Sequence, residues 1–472
     1  MAGIGSMIGA GINIVPFALQ RTVPGIGDQV LVAYLLAAIP AVLAALCYAA
    51  LGSAMPRAGG SYVYASRALG PLPGFIASFS QWVGLCMAIG VVAYLIPPFV
   101  RDVARAGQWD ALVTWLDTPS IRLALAIGLV WGFVYVNVRG VTSVTRTLVP
   151  LVILMFLSAG VVIVVGFSHE PVEYYLRHSL SRTLRPESTG SWSVIPPAAA
   201  ILFSSFIGFD AIAQAGGEAR DPERTIPLAV LLTLVSVGLF YFIFTAAVYH
   251  AVPWSYVAYA ATQGDVTAPG LLAPLVSPTL AVIMVAGGAI ALIKDLPGMI
   301  LGVSRLCFAW ADDGVFPTQI SRIHPQHRTP HIALIVSALL ATASIIGGHL
   351  ADDFFVGVDI LVTAMLVNFL VMAIAVLVIH RTNPALSSRM RVLQGQTARA
   401  AIGIPAVLLL SALLIVQLWR DLTNTAIAWY LHPTLVWIVV MAIGLLIYRR
   451  ETNALRRRGV DLRAITRMLP AE

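Results

Sequence analysis

Charge is scarce in this chain. Of its 472 residues only 11% are Asp, Glu, Lys or Arg, 59% are hydrophobic, and the mean hydropathy is +0.87. Soluble domains carry about a quarter charged residues, so a water-soluble globular class is excluded. Lysine is scarcer still: 28 of the 29 basic residues are Arg, and Lys294 is the one Lys. The three cysteines, Cys47, Cys86 and Cys307, lie in or beside apolar runs without paired spacing, which excludes a disulfide framework and a cysteine metal site. The sequence has no His-Glu metal pattern and no nucleophile with a base at catalytic spacing. These absences argue against an intramembrane enzyme and call for no cofactor. No basic segment precedes the first apolar run, so no cleavable signal peptide is expected.

Long apolar runs are what the chain has instead. They fall near residues 3–20, 30–54, 74–99, 121–138, 147–167, 194–216, 226–250, 272–303, 330–348, 354–380, 401–419 and 427–448. Each approaches the roughly 20 residues that cross a bilayer. The runs are continuous rather than alternating, which favours helices over an outer-membrane barrel. The expectation is an all-α integral membrane protein with 12 transmembrane helices. Twelve spans put both ends on one side. With the C-terminus cytoplasmic, 20 Arg fall in cytoplasmic loops and 8 in outer ones, which obeys the positive-inside rule. Both termini are therefore expected in the cytoplasm of a cell-membrane protein. The net charge of +7 needs no nucleic-acid partner, and the tail RRETNALRRRGVDLRAITR reads as an anchor against anionic lipid. The polar stretches near 168–193 and 252–271 are expected as inter-helix loops over an outer vestibule.

Two of the apolar runs are broken by glycine, about 200 residues apart. The first reads GSMIGAGI, residues 5–12, and the second FSSFIGFD, residues 203–210. A helix broken inside lipid frees backbone groups that protein or a water-lined cavity must satisfy. A pair of such breaks, one opening each half of the chain, marks a secondary transporter with its site near the bilayer midplane. At the first break the N–H groups and the positive end of the following half-helix form a nest suited to a carboxylate. Gly5-x-x-x-Gly9 alone also fits a helix-packing face; its echo in the second half favours the break. At the second, carbonyls around Phe206, Ile207 and Gly208 would receive an ammonium group. Asp210 follows deep in an apolar run, where a carboxylate is costly and functional by default. It could carry a coupling proton, meet a cationic substrate or cap the following half-helix.

These motifs resemble the amino acid–polyamine–organocation superfamily of permeases. GSMIGAGI is similar to the family's first-helix motif and FIGFDAIAQAGGEARDPERTIP to its sixth-helix signature. PRAGGSYVYASRALG, residues 56–70, is similar to the loop after helix two, and SRLCFAWADDGVFP, residues 304–317, to the end of helix eight. The resemblance implies a five-plus-five inverted repeat of the leucine-transporter type, broken at helices one and six, with two extra C-terminal helices. The domains would then be a core at 1–380, helices 11 and 12 at 381–450, and a basic tail at 451–472. It implies a substrate carboxylate on Met7, Gly9, Ala10 and Gly11, an amino group on Ser204, Phe206, Ile207 and Gly208, and a side-chain pocket at Met87 and Met299. Such Met and Ile walls favour an apolar or small neutral side chain, while Asp210 keeps a cation possible.

Lys294 stands beside Asp295 in the eighth run. In sodium-coupled members of the superfamily this stretch helps form a cation site, so Lys294 is expected to replace sodium; the alternative is a self-neutralising Lys294–Asp295 pair. Neighbouring helical residues point about 100° apart, so only one of the two faces the break fully. Glu218 with Arg57 or Arg146 is expected as a cytoplasmic gate or a static anchor, and Asn368 as a cross-bundle hydrogen bond or a pocket residue. The function expected is secondary active transport of an amino acid or related amine, proton-coupled or exchanging and sodium-independent. The alternatives are a polyamine or organic-cation exchanger, or a transport-inactive sensor or channel. Only Met1 to Ile4 precede the glycines of the first motif, fewer than relatives carry, so the expectation is either a late start site or a shortened member.

Overall fold

The computed structural model describes residues 7–57, 59–177, 191–214, 221–351, 355–425, 428–462 and 469, with backbone alone at 10, 141–148, 175–177, 213–214 and 222. The described residues form helices and connections, and no strand. Eleven helical stretches of the described residues are long and apolar enough to cross a membrane, one of them, Trp192–Ile212, running through a break. They answer the second to twelfth expected runs. The first run, expected at 3–20, is represented by α1, Ala10–Thr22, a helix of 13 residues.

The remaining helices follow in chain order. They are α2 (Val30–Ala54), α3 (Gly60–Leu69), α4 (Pro71–Ala106), α5 (Asp110–Leu116), α6 (Pro119–Val138), α7 (Val141–Ser168) and α8 (Pro171–Arg177). Next come α9 (Ile195–Leu202), α10 (Asp210–Gln214), α11 (Pro222–Ala251), α12 (Trp254–Gln263), α13 (Ala268–Leu272) and α14 (Pro278–Asp312). The chain closes with α15 (His331–Ala351), α16 (Phe355–Thr382), α17 (Pro384–Ser387), α18 (Gln396–Leu422) and α19 (Pro433–Arg457).

Proline punctuates the starts. Pro71, Pro119, Pro278 and Pro433 open their helices, where a missing N–H leaves no bond unmade. The eighth run was expected to begin at 272; its helix begins instead at Pro278, behind Ser277, whose hydroxyl accepts from Leu280 N–H at 3.5 Å. The stretches at 168–193 and 252–271, expected as loops, carry α8, α12 and α13. Helix α4 has 36 residues, about 54 Å at 1.5 Å per residue. It therefore outruns the roughly 30 Å hydrocarbon core.

Helix α4 packs along both α14 and α16, and these three form the centre. Over its most apolar stretch α4 is 89% buried, against 22% for α6 and for α7. The peripheral helices turn Leu157, Val164, Val235, Ile415 and Leu446 outward, each more than 60% exposed. A belt of this kind is stable only where lipid replaces water. Polar side chains tie the centre together. Trp310 Nε1 donates to Ser78 Oγ at 2.8 Å, Trp82 Nε1 to Ser337 Oγ at 2.9 Å, and Asn368 Nδ2 to Tyr48 Oη at 2.6 Å. Asn368 thus bonds across the bundle. At one end, α3 is pinned to α14 by Arg67, whose buried guanidinium reaches Asp313 at 3.1 Å while Tyr62 Oη donates to the same carboxylate at 2.8 Å. Two of the four sequence motifs therefore meet in one ion pair. Helix α18 is fixed to α16 by Arg420 and Gln417, both donating to the buried Asp359.

Candidate functional site

The second break is fully visible. Helix α9 ends at Leu202, a tight turn spans Phe203–Phe206, and Ile207 is extended at φ −75° and ψ 139°. Gly208 then takes φ +129°, a region that side chains with a Cβ rarely enter, before α10 starts at Asp210. Asp210 is buried. Its Oδ1 accepts from Gly208 N–H at 3.1 Å, and its Oδ2 accepts from Gln81 Nε2 on α4. Gln81 Oε1 in turn accepts from Ser61 Oγ on α3. The carboxylate thus clamps the broken backbone to the centre of the bundle.

The first break has different chemistry. Gly9 takes φ −147° and ψ −142°, and α1 begins at the next residue. The Met7 carbonyl accepts a hydrogen bond from Tyr241 Oη of α11. Asp295 of α14 lies against Gly9 so closely that a Cβ there would sit 2.5 Å from its Cγ and 2.9 Å from its Oδ1. Lys294 Nζ is 2.6 Å from Asp295 Oδ1, and the two side chains are 0% and 7% exposed. The adjacent pair divides as the helix period requires: Asp295 faces the break, and Lys294 holds it from within the protein.

The two breaks face one cavity of about 140 Å³. Of the expected site residues, Met7, Gly9, Gly11, Ser204, Ile207, Gly208, Asp210, Asp295 and Met299 line it. Lys294 touches it through Asp295. Met87 and Phe206 are buried but lie off the wall: the Met87 carbonyl accepts from Ser344 Oγ at 2.9 Å, and the Phe206 ring meets Tyr34 edge-on at 6.1 Å. Ala10 opens α1, its side chain lying outside the described set. Arg57 is half-buried, and its expected partner Glu218 lies outside the described residues. The remaining walls include Ile14, Val15, Val92, Leu95 and Val358, with Ser205 and Tyr241 as polar members. The Ser204 Oγ is buried without a hydrogen-bond partner among the described residues, a costly state that a ligand's polar group would relieve.

Sequence reasoning missed Tyr241, Ser205 and the α4 stripe. The stripe was within reach: Leu85, Ala88, Val92 and Leu95 recur at three and four residues along α4, and Met87 falls outside that phase. Tyr241 lies in a run of apolar and aromatic residues and carries no local mark. A second cavity, about 420 Å³, lies where the end of α4 meets α12 and α13, lined by Arg101, Arg105, Tyr256 and Asp265. It touches neither break.

Residues 1–443 match the profile of a family described as amino acid permease. The branched-chain amino acid permease BcaP of Bacillus subtilis (strain 168) is 24% identical over 97% of this chain and 93% of its own length. An uncharacterized transporter of Mycobacterium tuberculosis (strain CDC 1551 / Oshkosh) is 31% identical over 73% of this chain and 72% of its own. The low-affinity putrescine importer PlaP of Escherichia coli (strain K12) is 28% identical over 74% and 71%.

Proposed function

The chain belongs to the amino acid permease family, and from that premise we propose that it carries a small amino acid or related amine across the cell membrane by alternating access. It is a multi-pass membrane transporter rather than an enzyme. The observation that carries the proposal is the single cavity lined by residues of both breaks, with Asp210 on one side and Asp295 on the other. Unwound backbone lining a cavity between broken helices is where transporters of this architecture bind. Within the proposal, Met7, Gly9, Ala10 and Gly11 form one end of the site and Ser204, Ile207 and Gly208 the other. Met299 bounds the side chain, and Met87 and Phe206 support the wall from behind. The Lys294–Asp295 pair serves as a built-in cation and counter-ion beside the first break, which makes transport sodium-independent. Asp210 carries the coupling proton or meets the substrate's ammonium group. Glu218 and Arg57 serve as the cytoplasmic gate. Both termini face the cytoplasm, and residues 1–380 form the moving core, flanked by 381–450 and the tail 451–472.

The relatives' names divide between an amino acid and putrescine, so kinship leaves open whether the substrate bears a carboxylate. The test begins with a thermal-shift panel of amino acids and amines on the purified chain, since a ligand that binds only the folded state raises the melting temperature. Uptake of the hits into proteoliposomes follows. Saturable uptake is the expected result. Unsaturable flux, or uptake equal to that of protein-free vesicles, would refute the proposal.

A further inference from the structure

We propose that Asp295 sets the substrate class of the central cavity. Its carboxylate occupies the anion place at the first break, so the site takes a compact apolar primary amine without a carboxylate in preference to a zwitterionic amino acid. The inference rests on the transport reading above and narrows it.

The first break is built for an anion. Helix α1 starts at Ala10, its positive end faces the break, and Gly9 offers no side chain to keep a ligand away from the backbone. The carboxylate found against Gly9 belongs to the protein: it is that of Asp295, too close for even a methyl group to come between. Lys294 secures it there at 2.6 Å, with both side chains out of solvent. Separating a buried pair leaves an uncompensated charge, so a substrate carboxylate has little power to displace this one.

The rest of the wall agrees. Among its described residues there is no Lys, Arg or His, and the charged members are Asp210 and Asp295. A substrate carboxylate entering here would meet two carboxylates and, among the described lining residues, no cationic side chain, which disfavours it against an ammonium group. An ammonium group fits. Asp210 puts a carboxylate on this wall while it holds Gly208 N–H and Gln81. The Ser204 hydroxyl lies in the same wall. The other walls are Ile, Val, Leu and Met side chains around about 140 Å³, room for a short branched hydrocarbon.

The experiment compares pairs that differ only by a carboxylate, leucine against isoamylamine and valine against isobutylamine, titrated against the purified full chain. The wild type should bind each amine at least about tenfold tighter than its amino acid. Asp295→Asn should shrink that preference to within about threefold. Where that change destabilises the chain by stranding Lys294, the doubly neutral Lys294→Gln, Asp295→Asn variant should do the same. Equal or tighter binding of leucine and valine by the wild type would overturn the inference, as would an undiminished amine preference in a folded variant. Binding of neither pair, with saturable uptake of another solute, overturns the inference and leaves the transport reading standing. Absence of any saturable uptake across the panel removes both.

Discussion

The two helix breaks meet the same demand by opposite means. At the second, the backbone itself requires glycine, because Gly208 takes φ +129°; Asp210, two residues on, then ties the opened turn to α4 through Gln81. At the first, Gly9 keeps a negative φ, −147°, outside the left-handed region that calls for glycine. Its neighbour excludes a side chain, since the Asp295 carboxylate occupies the space a Cβ would need. One glycine is set by local geometry and the other by a residue nearly three hundred positions away. Identical letters in two similar motifs therefore have different causes.

Substitutions can break or sharpen that contrast. Gly9→Ala should have the largest effect, roughly 3 kcal/mol of destabilisation from overpacking against a buried ion pair. In a Lys294→Gln, Asp295→Ser background, where the bulk is reduced and no buried charge is stranded, Gly9→Ala should cost far less melting temperature, and an undiminished cost there would show that the neighbour is not the cause. Gly208→Ala should cost about 2 kcal/mol through backbone strain. Here no substitution at Asp210 should help; recovery of the melting temperature in Gly208→Ala with Asp210→Ala would contradict a backbone origin.

Asp210→Asn separates the carboxylate's two duties. The amide oxygen can still accept from Gly208 N–H, and the Gln81 amide can turn over to accept from the new NH2 while the Ser61 hydroxyl turns to accept from Gln81, so the fold should hold to within about 1 kcal/mol. Uptake should nevertheless fall about tenfold or more, as expected on losing an intramembrane charge that serves function. Parallel losses of uptake and thermal stability would reduce Asp210 to a structural clamp. The smallest effect is expected from Tyr241→Phe, which removes one hydrogen bond to the Met7 carbonyl at about 1 kcal/mol. A drop in melting temperature beyond that of Gly208→Ala would reverse the ranking and make Tyr241 the main support of the first break.

Much of this architecture is legible in the sequence because the bilayer leaves so few choices. Backbone groups in hydrocarbon must bond within a helix, so apolar length alone located eleven spans. Length did not reveal where helices run past the membrane. Arg101, Asp102 and Arg105 lie beyond the apolar run, yet α4 continues through them, with Arg101 and Asp102 paired at 2.9 Å. The breaks were visible because glycine and a stray carboxylate stand out against apolar surroundings. Tyr241 did not stand out, since an aromatic in a membrane span has many ordinary uses. Positions carried over by resemblance placed Met87 in the site, whereas the helical phase of α4 turns Leu85, Ala88, Val92 and Leu95 to the cavity instead. Lys294 was conspicuous by rarity, but which of the adjacent charges faced the break depended on the rotation of α14, which composition does not encode.

In the proposed transport cycle the first break carries its own cation and counter-ion in Lys294 and Asp295 and needs no external sodium ion. The most direct measurement is the initial rate of substrate uptake by wild-type proteoliposomes with sodium fully replaced by potassium on both sides. Rates agreeing to within about twofold are predicted, well under the roughly 1.4 kcal/mol that a tenfold change represents. Uptake that appears only when sodium is present would contradict the account.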